Sequence, residues 1–202
     1  MRWRLYSSSR SPFVRKVMIA AHELGLQDRI ERVDVVTTPM TPAPEVLPYN
    51  PLGMIPVLVD SETPYFDSLV ILEFLDAQAG GGLYPDADRH DCTLRHSVAD
   101  GAMEKAVKLL DETFRTQNSD TEEHIKGFAA SIKAAIQWME PRLKPGRFDA
   151  GDITYAALMA YLDMRFPQFL WVDQAPKSEA FMQSLIDRPS MVQTAFGTPP
   201  FV

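Results

Sequence analysis

Cysteine is almost absent from this chain, because Cys92 is the only one among 202 residues. A single cysteine excludes an intramolecular disulfide, a CxxC redox pair and a thiol-rich zinc site. His90, Asp91 and His96 lie near Cys92 in the sequence, but the pattern is typical of the solvated first turn of a helix. We therefore predict no metal site.

Long apolar runs are also missing. The first ten residues contain no apolar core of the kind that a signal peptide needs. The uncharged stretch from Ile153 to Leu162 is far shorter than the ~20 residues of a membrane-spanning helix. We therefore expect a soluble protein of the cytoplasm that does not bind membranes.

Basic residues are outnumbered by acidic ones. The 20 Lys and Arg residues face 27 Asp and Glu residues, which leaves a net charge of −7 at pH 7. Proteins that neutralise a nucleic-acid backbone show a basic face, so this balance argues against a nucleic-acid partner. The apolar fraction of 46% and the charged fraction of 23% are close to the globular average, which argues against disorder.

The pattern of apolar residues changes at the glycines at positions 80–82. Before these glycines, short apolar runs alternate with segments whose apolar residues recur at helical spacing, which predicts the order βαβ followed by ββα. The predicted strands are Trp3–Tyr6, Ile30–Val36, Pro56–Asp60 and Pro64–Phe66. After them, only helical patterns follow, with an almost wholly apolar helix at Asp152–Phe166 that we expect to be buried at the centre. The sequence therefore predicts an α/β domain over residues 1–80 and an all-α domain over residues 86–202.

A run of serines separates the first predicted strand from the first predicted helix. Ser11 precedes Pro12, and proline is well tolerated as the first residue of a helix. A hydroxyl and free backbone N–H groups at a helix N-terminus stabilise an anion such as a thiolate. The serines also cap the helix, and capping is compatible with catalysis.

Three segments together resemble the cytosolic glutathione S-transferases over nearly the whole chain. They are the turn Leu5–Val17, the segment Asn50–Leu58, which is similar to an NPxGxxPxL motif, and Asp67-Ser68 before an apolar helix that leads to Leu83-Tyr84-Pro85. The segment Phe148–Ile153 is similar to the capping box of the buried helix in the family's second domain.

The resemblance implies a thioredoxin-like N-terminal domain that binds glutathione and an all-helical domain that carries the pocket for a small apolar electrophile. It also implies a homodimer, with glutathione as co-substrate and no further cofactor. Relatives that exchange disulfides carry a cysteine just before the proline, where this chain has Ser11. A serine cannot form a mixed disulfide, so the expected reaction is conjugation of the glutathione thiolate.

The expected catalytic residue is Ser11, whose hydroxyl would hold the thiolate. Ser8, Ser9 and Tyr6 are the alternatives, because classes within the family place this group at different positions. Phe13, two residues after Ser11, is expected to contact substrate.

The expected binding residues for glutathione lie in the other two segments. The resemblance implies a cis bond between Ile55 and Pro56, which would expose the backbone of Val57 to an extended peptide. Asp67 would accept from the γ-glutamyl ammonium, and Ser68 would donate to its carboxylate.

Two departures from the family pattern keep other functions open. Asp67 is one methylene shorter than the usual Glu or Gln. Relatives commonly have basic residues that meet the glycyl carboxylate at two places, but here Thr37–Pro42 contains none and Met54 occupies the second place. A non-catalytic binding protein of the same fold is therefore an alternative. A glutathione-dependent isomerase or dehalogenase is another, because it uses the same thiolate.

Overall fold

Four short strands form one mixed sheet in the computed structural model, which describes residues 2–38, 40–169 and 171–197. The strands are β1 (Trp3–Ser7), β2 (Ile30–Asp34), β3 (Val57–Asp60) and β4 (Thr63–Tyr65), in the order β2-β1-β3-β4. β1 is parallel to β2 and antiparallel to β3, and β3 is antiparallel to β4. The four predicted strands are thus confirmed, although β2 ends two residues before the predicted Val36, which is exposed.

β1 is buried because both of its faces are covered. Trp3, Leu5 and Tyr6 are almost inaccessible to solvent. Side chains alternate across a strand, and Tyr6 faces a cluster that contains Ala43, Val46, Val57 and Val59. The central strand is therefore held in place by apolar packing on each side.

Three helices belong to the same compact unit as the sheet: α1 (Pro12–Glu23), α2 (Ser68–Ala79) and the short α7 (Pro189–Gln193). α7 is far from α1 in the sequence but packs against it. Glu23, at the end of α1, accepts hydrogen bonds from Arg188 at 2.5 and 2.8 Å and from the Ser190 hydroxyl at 2.5 Å. These contacts attach the start of α7 to α1.

The second unit spans residues 86–187 and consists of helices. They are α3 (Arg89–Phe114), α4 (Ser119–Met139), α5 (Ala150–Arg165) and α6 (Pro176–Ser184). α5 is buried along most of its length, as predicted for the central helix. It begins at a capping box in which Asp149 accepts from the N–H groups of Gly151 and Asp152 at 3.0 and 3.1 Å.

The predicted fold class is confirmed: a thioredoxin-like unit with a mixed sheet is joined to a unit made of helices. Among the residues that the structure describes, no helix is both long enough and apolar enough to span a membrane.

Candidate functional site

The sheet brings the three predicted site segments to one edge. Val57, the first residue of β3, pairs with Tyr6 near the end of β1. Tyr65, the last residue of β4, pairs with Leu58 on β3. The turn that follows β1, the residues that precede β3 and the residues that follow β4 therefore leave the sheet on the same side. These are the serine turn (residues 8–11), the Ile55-Pro56 bond and the Asp67-Ser68 pair.

The serines of the turn have different surroundings. The buried Ser7 donates to Asp34 at 3.0 Å and accepts from Arg32 at 3.3 Å, so it links β1 to β2. The Ser8 hydroxyl accepts from the N–H of Arg10 at 3.4 Å. Ser7 therefore stabilises the sheet just before the turn, and Ser8 stabilises the turn itself.

Ser11 is the N-cap of α1. Its Oγ accepts from the N–H of Val14 at 3.3 Å, and Pro12 follows as the first helical residue. Capping uses a lone pair of the hydroxyl and leaves its proton available for donation. The first turn of α1 contains no acidic residue, so no carboxylate there offsets the positive end of the helix dipole. An anion beside Ser11 is stabilised by both features.

Tyr6 lies in the core cluster on one face of the sheet, where its ring centroid is 5.3 Å from that of Tyr49. Burial, together with the hydrogen bond between the Tyr6 and Tyr49 side chains, raises the pKa of the Tyr6 phenol above its ordinary value. Phe13 is partly buried in the first turn of α1, with the Lys16 ammonium 5.8 Å from its ring centroid.

The bond between Ile55 and Pro56 is cis, as predicted. The loop before it is held by Asn50, whose amide donates to the carbonyl of Met54 at 2.9 Å and accepts from the N–H of Leu52 at 3.0 Å. Gly53 has φ +63°, and a Cβ there would lie 2.6 Å from the Cβ of Pro42. The Asn-Pro-x-Gly part of the motif is therefore explained by backbone geometry.

Asp67 and Ser68 open α2. The Asp67 carboxylate is exposed and caps the helix by accepting from the N–H of Leu69 at 3.0 Å. Ser68 is buried as the first helical residue. A carboxylate and the amides of a helix N-terminus thus stand side by side, which suits a ligand end that carries both an ammonium and a carboxylate.

A cavity of about 50 Å³ lies against the serine turn within the first unit. Ser8, Ser9 and Ser11 form one part of its wall. The rest of the wall, which the sequence motifs did not predict, is formed by Val14, Arg15, Met18, Arg32, Gln193, Thr194 and Ala195. Arg15 lies four residues after Ser11 and therefore on the same helix face, a signal that was present in the sequence.

Arg15 has unusual surroundings for a guanidinium. Its Nη2 donates to the carbonyl of Met191 at 3.3 Å, and the group lies 4.5 Å from the ring centroid of Phe196. Its Nε is buried and has no hydrogen-bond partner among the residues that the structure describes. Burial lowers the pKa of Arg15 to about 10, so the group stays charged at neutral pH. No carboxylate is among the described residues that line the cavity.

Comparison with known proteins agrees with the geometry. The family model "Glutathione S-transferase, N-terminal domain" matches residues 10–78. Glutathione S-transferase 1 of Dianthus caryophyllus is 39% identical over 154 residues, which cover 74% of this chain and 69% of that protein.

Solved structures are similar over almost the whole chain. A glutathione transferase family member from Pseudomonas fluorescens Pf-5 with bound glutathione has a TM-score of 0.91 and 31% identity, with 97% of this chain and 100% of that chain covered. A further structure from that organism, with bound S-(propanoic acid)-glutathione, has a TM-score of 0.87 and 30% identity over 96% of this chain and 100% of that chain.

Proposed function

The chain belongs to the glutathione S-transferase family, and from this premise we propose that it conjugates the thiolate of glutathione to small, mainly apolar electrophiles. The observation that supports the proposal is the meeting of the serine turn, the cis-proline and the Asp67-Ser68 pair at one edge of the sheet. Glutathione and S-(propanoic acid)-glutathione are bound in the structures of the relatives from P. fluorescens.

Glutathione, in this proposal, is held at three points. The γ-glutamyl ammonium binds the Asp67 carboxylate, and the γ-glutamyl carboxylate binds the hydroxyl and N–H of Ser68. The cysteinyl backbone pairs with the N–H and C=O of Val57 in the manner of an added strand. Ile55, Pro56 and Phe13 shape the groove around it.

The reaction needs a thiolate close to neutral pH. The thiol releases its proton to solvent, and the resulting thiolate accepts a hydrogen bond from Ser11 at the positive end of α1. Its sulfur then forms a bond to the electrophilic carbon. Where the electrophile carries a leaving group, the bond to that group breaks and the group departs with the electron pair. Where it is an activated double bond, the π bond breaks, its electron pair moves to the activating group, and the adduct takes a proton from solvent.

The proposal assigns glutathione binding to residues 1–80 and the electrophile pocket to residues 86–202, of which residues 188–197 belong to the compact unit that contains the sheet. It also includes a homodimer in the cytoplasm as the working form, as membership of the family suggests.

Calorimetric titration of glutathione into the protein tests the binding part of the proposal. We expect a dissociation constant of about 1 mM or lower, and a roughly tenfold or greater weakening in Asp67→Ala, since the variant lacks the partner of the ammonium. Glu62→Ala removes the same charge from an exposed position in the turn between β3 and β4 and should bind glutathione like the wild type. No binding at about 10 mM would contradict the proposal and favour the non-catalytic binding protein.

A further inference from the structure

We propose that the cavity beside Ser11 binds a carboxylate carried by the electrophilic co-substrate, and that Arg15 is the cation that recognises it. The inference rests on the proposed function, because it names the class of second substrate: a mainly apolar electrophile with one anionic substituent.

The volume of the cavity indicates the size of the chemical group that it can hold. One water molecule needs roughly 10–15 Å³ on this measure, so a cavity of about 50 Å³ holds a group of a few atoms. A carboxylate group fits a volume of this size. The hydroxyls of Ser8 and Ser9 supply donors around it, while that of Ser11 donates to the thiolate.

The charged residues around the cavity indicate the sign of the charge that its ligand carries. Elsewhere in the described chain, Arg95, Arg147 and Arg188 each lie within 2.9 Å of a carboxylate oxygen. Arg15 instead has a carbonyl, an aromatic ring and a buried Nε without a partner. A partly buried cation without a counter-charge is costly, and an anion in the cavity would reduce that cost.

Arg32 also lines the cavity, but its guanidinium already has partners within the protein. Its Nη2 lies 3.2 Å from Asp34, and its Nε donates to Ser7 at 3.3 Å. Arg32 therefore has a carboxylate partner within the protein. Among the described residues that line the cavity, Arg15 is the cation without one.

The opposite wall of the cavity is built before any ligand arrives. Glu23 holds Arg188 and Ser190 at the start of α7, which fixes the position of the Gln193–Ala195 segment that follows. The carbonyl of Met191 on the same helix holds the Arg15 guanidinium. A binding group that is held in advance loses little conformational entropy when its ligand binds.

Two thioethers of glutathione test this inference by calorimetry. S-(2-carboxyethyl)glutathione and S-(2-carbamoylethyl)glutathione differ only in whether the S-substituent ends in a carboxylate or a neutral amide. Neither has a thiol, so any role of Arg15 toward the thiolate does not enter. We expect the wild type to bind the carboxylate at least about tenfold more tightly, the usual scale for a charge-assisted hydrogen bond.

The variants locate the source of that preference. Arg15→Gln should abolish it by weakening the binding of the carboxylate thioether, while the affinity for the neutral amide thioether stays close to that of the wild type. Arg32→Gln should retain most of it, because Arg32 is paired with Asp34.

Two results would overturn the inference while the proposed function stands: equal affinity of the wild type for the two thioethers, or an undiminished preference in Arg15→Gln. The wild-type comparison needs no variant, so it decides even if Arg15→Gln does not fold. If glutathione and both thioethers fail to bind, the proposed function fails and the inference with it.

Discussion

Arg95 on α3 and Asp149 at the start of α5 form a bidentate ion pair inside the helical unit. Nη1 donates to Oδ1 at 2.8 Å and Nη2 to Oδ2 at 2.6 Å, and both side chains are buried. The same carboxylate caps α5. Although burial opposes ionisation, the hydrogen bonds from Arg95 hold the pKa of Asp149 below its ordinary value. One side chain thus fixes the start of the central helix and neutralises a buried cation.

Asp149→Asn should lower the free energy of unfolding by about 3 kcal/mol or more, because it leaves the Arg95 guanidinium buried without one of its counter-charges. Urea denaturation measures the loss. Asp91→Asn is the control, since Asp91 also contacts Arg95 at 2.8 Å but its side chain is 41% exposed. That variant should lose less than about 1 kcal/mol, and an equal loss in both would contradict the account.

Gly151 is required by the approach of the same arginine. A Cβ at this position would lie 2.6 Å from Nη1 of Arg95 and 2.8 Å from the carbonyl oxygen of Cys92. Alanine normally stabilises a helix interior by up to about 1 kcal/mol relative to glycine, and we expect that gain for Gly127→Ala on α4, where a Cβ meets nothing within 4 Å. Gly151→Ala should instead destabilise by about 2 kcal/mol in the same urea assay. Stabilisation by both substitutions would contradict the packing.

Local signals explain why much of this structure was predictable. The Asp149 to Asp152 spacing indicates a capping box, and Ser11-Pro12 indicates the start of a helix, because each depends on residues within one turn. The pairing of Asp149 with Arg95, 54 residues away in the sequence, leaves no such local signal.

The candidate site divides in the same way. Short motifs predicted the serine turn, the cis-proline and the Asp67-Ser68 pair. The pairing of β3 with β1 and β4 then places these three segments at one edge of the sheet. The wall that α7 adds to the cavity was not predictable, since Met191 contacts Arg15 across 176 residues of sequence and α7 has only five residues.

The attachment of α7 to α1 should depend on pH through Glu23. Burial opposes ionisation, but hydrogen bonds from Arg188 and Ser190 outweigh it and hold the pKa of Glu23 below its ordinary value of 4.5. A carboxylate with a depressed pKa adds stability above the pKa of the unfolded chain and loses it as the pH falls through the folded-state pKa. The contribution is therefore complete at neutral pH and disappears in acid.

We expect Glu23→Gln to lower the free energy of unfolding by about 1 kcal/mol at pH 7, and the difference from the wild type to shrink as the pH falls below the ordinary carboxyl pKa of 4.5. Urea denaturation over this pH range measures both. Glu31→Gln, on the exposed side of β2, is the matched control and should stay within about 0.5 kcal/mol of the wild type. A difference that grows toward acid would have the wrong sign.

Cys92 should be inert in the native protein. The side chain is buried, and burial raises the pKa of its thiol to about 11, so almost no thiolate is present at pH 8. An aromatic disulfide reagent should therefore label the native protein only at the rate of unfolding, and should label one thiol per chain in denaturant. Rapid labelling without denaturant would contradict this. In assays of conjugation, the reactive thiol then belongs to glutathione.

Ser11→Ala should reduce kcat/KM for conjugation about a hundredfold at neutral pH, because it removes the hydrogen bond that stabilises the thiolate. Since that bond lowers the pKa of the bound thiol, its loss raises the pKa, and activity should recover as the pH rises toward the ordinary thiol range. The ultraviolet absorbance of bound thiolate as a function of pH measures the shift directly.

Capping alone does not produce this pattern. Loss of the Ser11 cap costs about 1 kcal/mol of stability, which urea denaturation detects but which leaves the thiol pKa unchanged. Ser11→Thr keeps the hydroxyl and should keep most of the activity, while Ser9→Ala should leave the pKa of the bound thiol as it is in the wild type. If Ser8→Ala rather than Ser11→Ala shifts the pH profile, the thiolate is held earlier in the turn, and the catalytic hydroxyl is that of Ser8.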